Sequence, residues 1–205
     1  MKSTILLLVV VFFTEIISAN SKPNFVWIIS EDNSIHYLDH FFPNGADTPN
    51  IKNMATNGVT FDNAFSNAPV CSVARSTLIT SCYAPRIGAQ YHRKSMVAPM
   101  PEGLKMFPSY LRDKGYYTTN RSKTDYNLKQ GKGVWDQSSR KAHWRNRKSG
   151  QPFFHKASYA ISHESSLHFK ESAIKNQPTV NKSQDVNLAP YHPNTKTFRY
   201  TQARY

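Results

Sequence analysis

Apolar residues of this chain fall into short runs, and runs with strand character alternate with runs spaced as in a helix. Residues 25–29 form a β-prone run between a proline and two acids, which predicts a strand buried on both faces of a sheet. Thr48 and Pro49 predict the start of a helix that ends at Asn57. Residues 59–65 predict the next strand.

The alternation of predicted strands and helices continues over residues 72–161. Residues 72–81 predict a helix, and apolar spacing over 104–114 predicts another whose first turn could instead begin at Pro108. Residues 116–119 and 153–161 predict strands. Strands that alternate with helices predict an α/β fold with a mostly parallel sheet flanked by helices on both faces.

The two ends of the chain differ in character from its middle. Residues 1–19 have the layout of a secretory signal peptide, in which Lys2 precedes the apolar run 5–13 and small residues follow. An uncleaved signal anchor is the alternative. Residues 22–169 carry the α/β pattern, whereas 170–205 are polar and aperiodic and predict an irregular surface excursion or tail. Export predicts a secreted protein, or a periplasmic or lysosomal one depending on the host, without stable membrane insertion.

The formal net charge of +13 predicts attraction to polyanions. Five of the basic residues are clustered and interleaved with His143 and Trp144, namely Arg140, Lys141, Arg145, Arg147 and Lys148. The signal peptide argues against nucleic acid as a partner. A sulfated or otherwise acidic glycan fits both the charge and the compartment, and a solvated basic loop remains the alternative.

The thiol of Cys71 lies four residues before Arg75 at the start of a predicted helix. A helix N-terminus and a guanidinium both favour an anion, so this cysteine could react as a thiolate or carry a modification that handles anions. A small buried hydrophobic residue is the alternative. Cys82 is not expected to pair with Cys71, because the helix between them separates the sulfurs by about three turns.

Residues 71–80 resemble the signature of the type I sulfatases. That signature consists of Cys, any residue, Pro or Ala, Ser or Ala, and Arg, followed by an aliphatic stretch and Thr-Gly. Other segments resemble the same family in the same order from Lys22 onward: residues 23–32, 48–51, 58–65, 83–88 and 111–119. The resemblance implies the alkaline-phosphatase-like fold of these formylglycine-dependent enzymes. Family members are longer, so residues 22–169 are expected to be the N-terminal part of their catalytic domain, apparently truncated.

The resemblance also implies the chemistry of individual residues. Cys71 would be converted to Cα-formylglycine, whose hydrated aldehyde attacks sulfur, with Arg75 stabilising the modified side chain. Lys123 matches the lysine of the family's Gly-Lys element, which contacts the substrate sulfate. His163 matches a histidine that binds sulfate or protonates the leaving oxygen. Glu31 and Asp32, together with residue 71, match ligands of a calcium ion.

Three positions depart from the family pattern. Glu31 stands where most members have aspartate, and Asp125 stands where a histidine follows the lysine. Val73 occupies the position at which the converting enzyme usually reads Pro or Ala. The later metal ligands of the family, an Asp followed by Asn, His or Gln, have no match in the chain.

These implications predict a hydrolase that cleaves sulfate esters or N-sulfates of a sulfated carbohydrate and that depends on a formylglycine-generating or equivalent maturation enzyme. Activity of this short chain is expected to be impaired. One alternative is a non-catalytic secreted fragment that binds sulfated glycans through residues 140–148. Another is a phosphatase of the same superfold, although the acid pair followed by Cys-x-x-x-Arg favours the sulfatase branch.

Overall fold

The described part of the computed structural model comprises residues 22–43, 45–93 and 97–204. The predicted signal peptide lies outside these residues. None of the helices within this part combines the length and hydrophobicity of a membrane span.

Four strands form one sheet in the order β1-β4-β2-β3. Strand β2 is parallel to both of its neighbours, with Thr119 opposite Gln137 on one side and His155 on the other. The sheet and its flanking helices confirm the α/β prediction. The strands are β1 (Phe25–Ser30), β2 (Tyr117–Arg121), β3 (Gln137–Ser139) and β4 (Phe153–Tyr159).

Five α-helices flank or follow the strands in the described residues. Pro49 and Pro108 lie in the first turns of the first and third helices, where the missing N–H costs no hydrogen bond. The third helix therefore begins near Pro108 rather than at residue 104. The helices are α1 (Pro49–Thr56), α2 (Cys71–Thr80), α3 (Phe107–Asp113), α4 (Ala173–Asn176) and α5 (Lys196–Arg204).

The chain divides into two compact units, each built from separated segments. The first unit contains the chain up to Trp27 and Asn67–Ala157, and the second contains Ile28–Ser66 and the chain from Ser158 onward. The core of the first unit packs α2 against the residues that follow it and against the loop before β3. Its buried members include Val73, Ile79, Ala84, Ile87, Met106, Leu128 and Val134.

The predicted strand over residues 59–65 is absent from the structure, which has turns and irregular backbone there. Val59, Phe61 and Phe65 are between 75% and 89% exposed. A β-prone sequence forms a strand only where a neighbouring strand pairs with it, and here none does. That prediction was wrong.

Strand β1 is exposed, although its apolar run predicted burial on both faces. It lies at the edge of the sheet with β4 as its neighbour, and Val26 is 57% exposed. An edge position leaves the strand only partly covered, which explains the difference. Strand β4 ends at Tyr159, two residues before the predicted limit.

Two helices interrupt residues 170–205, where an irregular segment was predicted. In α5, Tyr200 and Ala203 are buried, and the Tyr200 ring lies edge-on to Phe169 with centroids 5.0 Å apart. Residues three apart share a helix face, so two buried side chains suffice to anchor this otherwise polar helix. The short strand β3 was also not predicted, because Gln137–Ser139 carries no apolar alternation.

Candidate active site

Helix α2 positions two of the predicted site residues in the first unit. Cys71 is its first residue and is half-buried, after Val70 in extended conformation. Arg75 follows one turn later and is buried. The unpaired N–H groups of a helix start favour an anion at Cys71, and both cysteines have free thiols, as expected.

The loop after β2 brings Lys123 to Arg75. Nη1 of Arg75 donates a hydrogen bond to the carbonyl oxygen of Lys123 at 3.3 Å. Nζ of Lys156 donates to the same carbonyl at 2.8 Å and to Oδ1 of Asn120 at 2.8 Å. The guanidinium of Arg75 and the ammonium of Lys156 therefore meet at the backbone carbonyl of Lys123.

Lys156 was missed by the sequence analysis. It lies in the middle of β4, between His155 and Ala157, and is only 3% exposed. A lysine buried inside a strand is unusual, because a charge loses its hydration there unless polar groups replace the water. That irregularity in an otherwise buried run is the signal that could have pointed to it.

A carboxylate links Lys123 to a further cation. Oδ1 and Oδ2 of Asp125 accept from Nε and Nη2 of Arg93 at 3.1 and 2.9 Å, and Nζ of Lys123 lies 3.5 Å from Oδ2. Burial alone would raise the pKa of Asp125, but Arg93 and Lys123 outweigh it and lower that pKa below its usual value. Asp125 is therefore ionised at neutral pH.

The backbone around these residues is strained. Ser122, Asp125 and Arg93 all have positive φ, at 77°, 52° and 43°. Residues other than glycine adopt such angles at a cost, and they cluster where surrounding contacts hold a functional geometry.

Polar contacts also fix the start of α2. Oγ of Ser72 lies 2.9 Å from Nδ1 of His92 and accepts from the backbone N–H of Arg93 at 3.3 Å. Ser76 Oγ donates to the Ser72 carbonyl at 2.6 Å. The segment carrying Arg93 is thereby tied to the residue that follows Cys71.

The second unit brings together the other predicted site residues, which follow β1 and β4. The Ser162 hydroxyl donates to the Glu31 carbonyl at 2.6 Å, and the Glu164 N–H donates to Oδ2 of Asp32 at 2.8 Å. A carboxylate oxygen of Glu31 and a ring nitrogen of His163 lie within 4.8 Å of each other. Glu31 is only 4% exposed.

The donor set of this group fits a calcium site in part. Calcium takes about six to eight oxygen ligands. Glu31 and Asp32 offer carboxylate oxygens, one of which already accepts the Glu164 N–H, whereas His163 offers nitrogen. The described residues of the second unit therefore supply some ligands of a calcium site and do not complete one.

Ionisable residues follow strands in each unit: Lys123 follows β2 in the first unit, and in the second unit Glu31 and Asp32 follow β1 and His163 follows β4. Open α/β sheets bind ligands beyond the carboxyl ends of their strands. The sheet and the cations Arg75, Lys123 and Lys156 of the first unit define an α/β protein suited to an anionic ligand.

The family model named Sulfatase matches residues 23–200. The chain belongs to the sulfatase family. The family assignment agrees with the resemblance that residues 71–80 and the ordered segments indicated.

Two curated relatives are similar in sequence to part of the chain. An ulvan-active sulfatase of Formosa agariphila is 36% identical over 156 residues, which cover 71% of this chain and 26% of that protein. The human N-acetylgalactosamine-6-sulfatase is 27% identical over 107 residues, covering 48% of this chain and 20% of that protein. The chain therefore spans about a quarter or less of the length of these relatives.

Solved structures share the fold at low sequence identity. The structure of BT4656 in complex with its substrate D-glucosamine-2-N,6-O-disulfate matches with a TM-score of 0.54 and 16% identity, covering 73% of this chain and 39% of that one. A second structure, described with the metabolism of multiple glycosaminoglycans by Bacteroides thetaiotaomicron, has a TM-score of 0.57 and 15% identity, covering 89% and 54%. These similarities show the alkaline-phosphatase-like sulfatase fold.

Proposed function

We propose that this protein serves the hydrolysis of sulfate esters or N-sulfates on a sulfated carbohydrate, with a nucleophile made from Cys71. The observation that carries the proposal is the arrangement around α2. Cys71 opens the helix, Arg75 is buried one turn later, and the Arg75 guanidinium reaches the Lys123 backbone. A nucleophile precursor and two cations thus occur within one compact unit.

Formylglycine at position 71 would supply a hydrated aldehyde, one hydroxyl of which can attack sulfur while the other later expels sulfate. Arg75 would hold the modified side chain and its negative charge through charge-assisted hydrogen bonds. Lys123 would bind the sulfate oxygens as a point charge. We assign His163 to binding sulfate or donating a proton to the leaving oxygen.

Calcium belongs to the proposal as the cation that would polarise sulfate oxygens. Glu31 and Asp32 are the proposed carboxylate ligands, with residue 71 as a further ligand after its conversion. Glu31 is buried next to Asp32, and both offer hard carboxylate oxygen atoms of the kind that calcium prefers.

Two observations support a carbohydrate substrate. One relative is an ulvan-active sulfatase, and one structure with the same fold holds a glucosamine disulfate. We further propose export through residues 1–19 and conversion of Cys71 by a formylglycine-generating or equivalent enzyme. Export would bring the protein to where extracellular sulfated glycans occur.

Peptide mass spectrometry on protein made in its own host tests the nucleophile. A loss of mass at Cys71, with no change at Cys82, is expected if the thiol is oxidised to the aldehyde. Cys82 is a matched control because it is also half-buried in the same unit. An unmodified thiol at Cys71 would contradict the proposed nucleophile.

Hydrolysis assays test the reaction itself. Sulfated glucosamines, ulvan fragments and an aryl sulfate are offered to the purified protein, with an aryl phosphate to detect phosphatase activity. Cys71→Ala should abolish sulfate release, whereas Cys82→Ala should retain it. Sulfate release that survives Cys71→Ala would reject the proposal.

A second candidate function rests on the basic segment, residues 140–148. Arg140, Lys141, Arg145 and Lys148 are exposed, and the Arg145 guanidinium lies 4.6 Å from the centre of the Trp144 ring. Exposed cations beside an aromatic ring suit a sulfated glycan bound without catalysis. Such binding would not need Cys71.

A further inference from the structure

The carboxylate of Asp125 occupies an anion's place between two cations. It accepts two hydrogen bonds from the Arg93 guanidinium and lies 3.5 Å from Nζ of Lys123. A guanidinium paired with both carboxylate oxygens is the geometry with which arginine binds carboxylates, phosphates and sulfates alike. The protein therefore already holds an internal anion next to Lys123.

The contact is built into the fold of the first unit. Asp125 is only 14% exposed, and its backbone is held at a positive φ of 52°. Two residues after Asp125, the backbone N–H of Asn127 donates a hydrogen bond to the buried Ser76 hydroxyl at 2.9 Å. The Lys123 carbonyl accepts hydrogen bonds from Arg75 and Lys156. A surface ion pair would not need such support.

We propose that Asp125 is a specificity-determining residue that competes with the substrate's sulfate group for Lys123. This inference rests on the proposed role of Lys123 in sulfate binding. A sulfate that approaches Lys123 meets the negative charge of Asp125, and like charges at short distance repel strongly in a partly buried site.

This competition affects both the binding of the substrate and the release of the sulfate product. Inorganic sulfate carries two negative charges at neutral pH, whereas a sulfate ester or N-sulfate carries one, so Asp125 repels free sulfate more strongly than the substrate's sulfate group. A sulfated sugar must then gain much of its affinity through the carbohydrate, and the sulfate product should dissociate readily. Asp125 thus favours sulfated saccharides over inorganic sulfate.

Titration of the full chain with sodium sulfate at constant ionic strength, followed by calorimetry, tests this proposal. Asp125→Asn should bind sulfate at least about tenfold more tightly than the wild type, because the repulsion is removed. Asp125→Glu should stay close to the wild type, since it keeps the carboxylate. Asp113→Asn is the matched control, because it changes the net charge equally in an exposed pair with Lys105.

Several outcomes would overturn the inference. Equal sulfate affinity in Asp125→Asn and the wild type, or an equal gain in Asp113→Asn, would show that Asp125 does not contest the site. A gain that persists in the double variant with Lys123→Ala would show that sulfate binds elsewhere. Should Asp125→Asn fold poorly, Asp125→Gly removes the same carboxylate and suits the positive φ.

The failure of this inference differs from the failure of the proposed function. Sulfate affinity does not depend on conversion of Cys71, so tighter binding by Asp125→Asn without ester hydrolysis would reject only the proposed function. Ester hydrolysis together with unchanged sulfate affinity would reject only the role of Asp125. The two experiments therefore test separate claims.

Discussion

Two serines adopt backbone angles at which glycine would cost less. Ser81 ends α2 at φ 56°, and Ser122 precedes Lys123 at φ 77°. The sulfatase pattern that the chain resembles has glycine at both positions, in its Thr-Gly and Gly-Lys elements. Both positions are left-handed in this chain, although serine suits that conformation less well than glycine.

Replacing either serine by glycine should stabilise the protein. Ser81→Gly and Ser122→Gly are each expected to raise the free energy of unfolding by about 1 kcal/mol, since they relieve left-handed strain. Chemical denaturation measures the change. Gly150→Ala is the reciprocal control, because Gly150 has φ 71° and open space around it, so alanine there should cost a similar amount through φ alone.

His155 makes stability depend on pH. Burial lowers its pKa, as do the charges of His143 and Arg121, and its Nδ1 lies 2.6 Å from the Thr119 hydroxyl. The unfolded chain binds a proton near the ordinary pKa of 6.5, whereas the folded state resists it to lower pH. The free energy of unfolding should therefore fall as pH drops below about 6.5.

Urea denaturation at pH 7.5 and 5.5 checks this dependence. The fall in stability between the two pH values should be smaller in His155→Gln than in the wild type, because glutamine does not titrate. His168→Gln is the control, since this histidine is exposed and paired with Glu164. An equal fall in the wild type and His155→Gln would contradict the prediction.

Local motifs could be read from the sequence, whereas pairings between distant residues could not. The start of α2 at Cys71 follows from its own residues and the turn before them. Lys156 and the pairing of Arg93 with Asp125 depend on segments more than thirty residues apart in the chain, which no local pattern joins.

At the scale of elements, the edge strand β1 exposes most of its residues. Phe25, Val26 and Ile28 present apolar side chains on a strand with a free edge. Its apolar composition suggested a central strand, because sequence shows the hydrophobicity of a strand but not the number of its neighbours. The same limit explains why residues 59–65 were mistaken for a strand.

An exposed apolar edge strand should promote self-association. Val26→Lys is expected to reduce light scattering at high protein concentration, because a charge on an edge strand opposes pairing with a second copy. Val180→Lys is the matched control, since Val180 is fully exposed outside any strand. Equal improvement in both variants would attribute the effect to net charge instead of the edge.

At the scale of the whole molecule, the excess of basic residues should dominate weak binding. With a net charge of +13, the protein should bind a sulfated polymer whatever its catalytic state. Attraction between exposed charges is screened over about 10 Å at 0.1 M salt. This binding therefore differs from catalysis in its dependence on ionic strength.

Retention on a sulfated-polysaccharide column measures that binding. Elution should occur at clearly lower salt when Arg140, Lys141 and Lys148 are changed to glutamine, and Cys71→Ala should leave it unchanged. Changing Lys105, Lys129 and Lys132 to glutamine alters the net charge by the same amount elsewhere and is the control. Equal loss in both triple variants would show that no particular segment binds the polymer.

The interleaving of the two compact units governs the order in which they can form as the chain leaves the ribosome. The first unit needs Asn67–Ala157 to join the segment that ends at Trp27, so Ile28–Ser66 must wait as a loop between the two. The second unit lacks its partner segment until residues beyond Ser158 emerge. The acidic residues Glu31 and Asp32 are therefore synthesised early, but their contacts with Ser162 and Glu164 can form only after those later residues have been made.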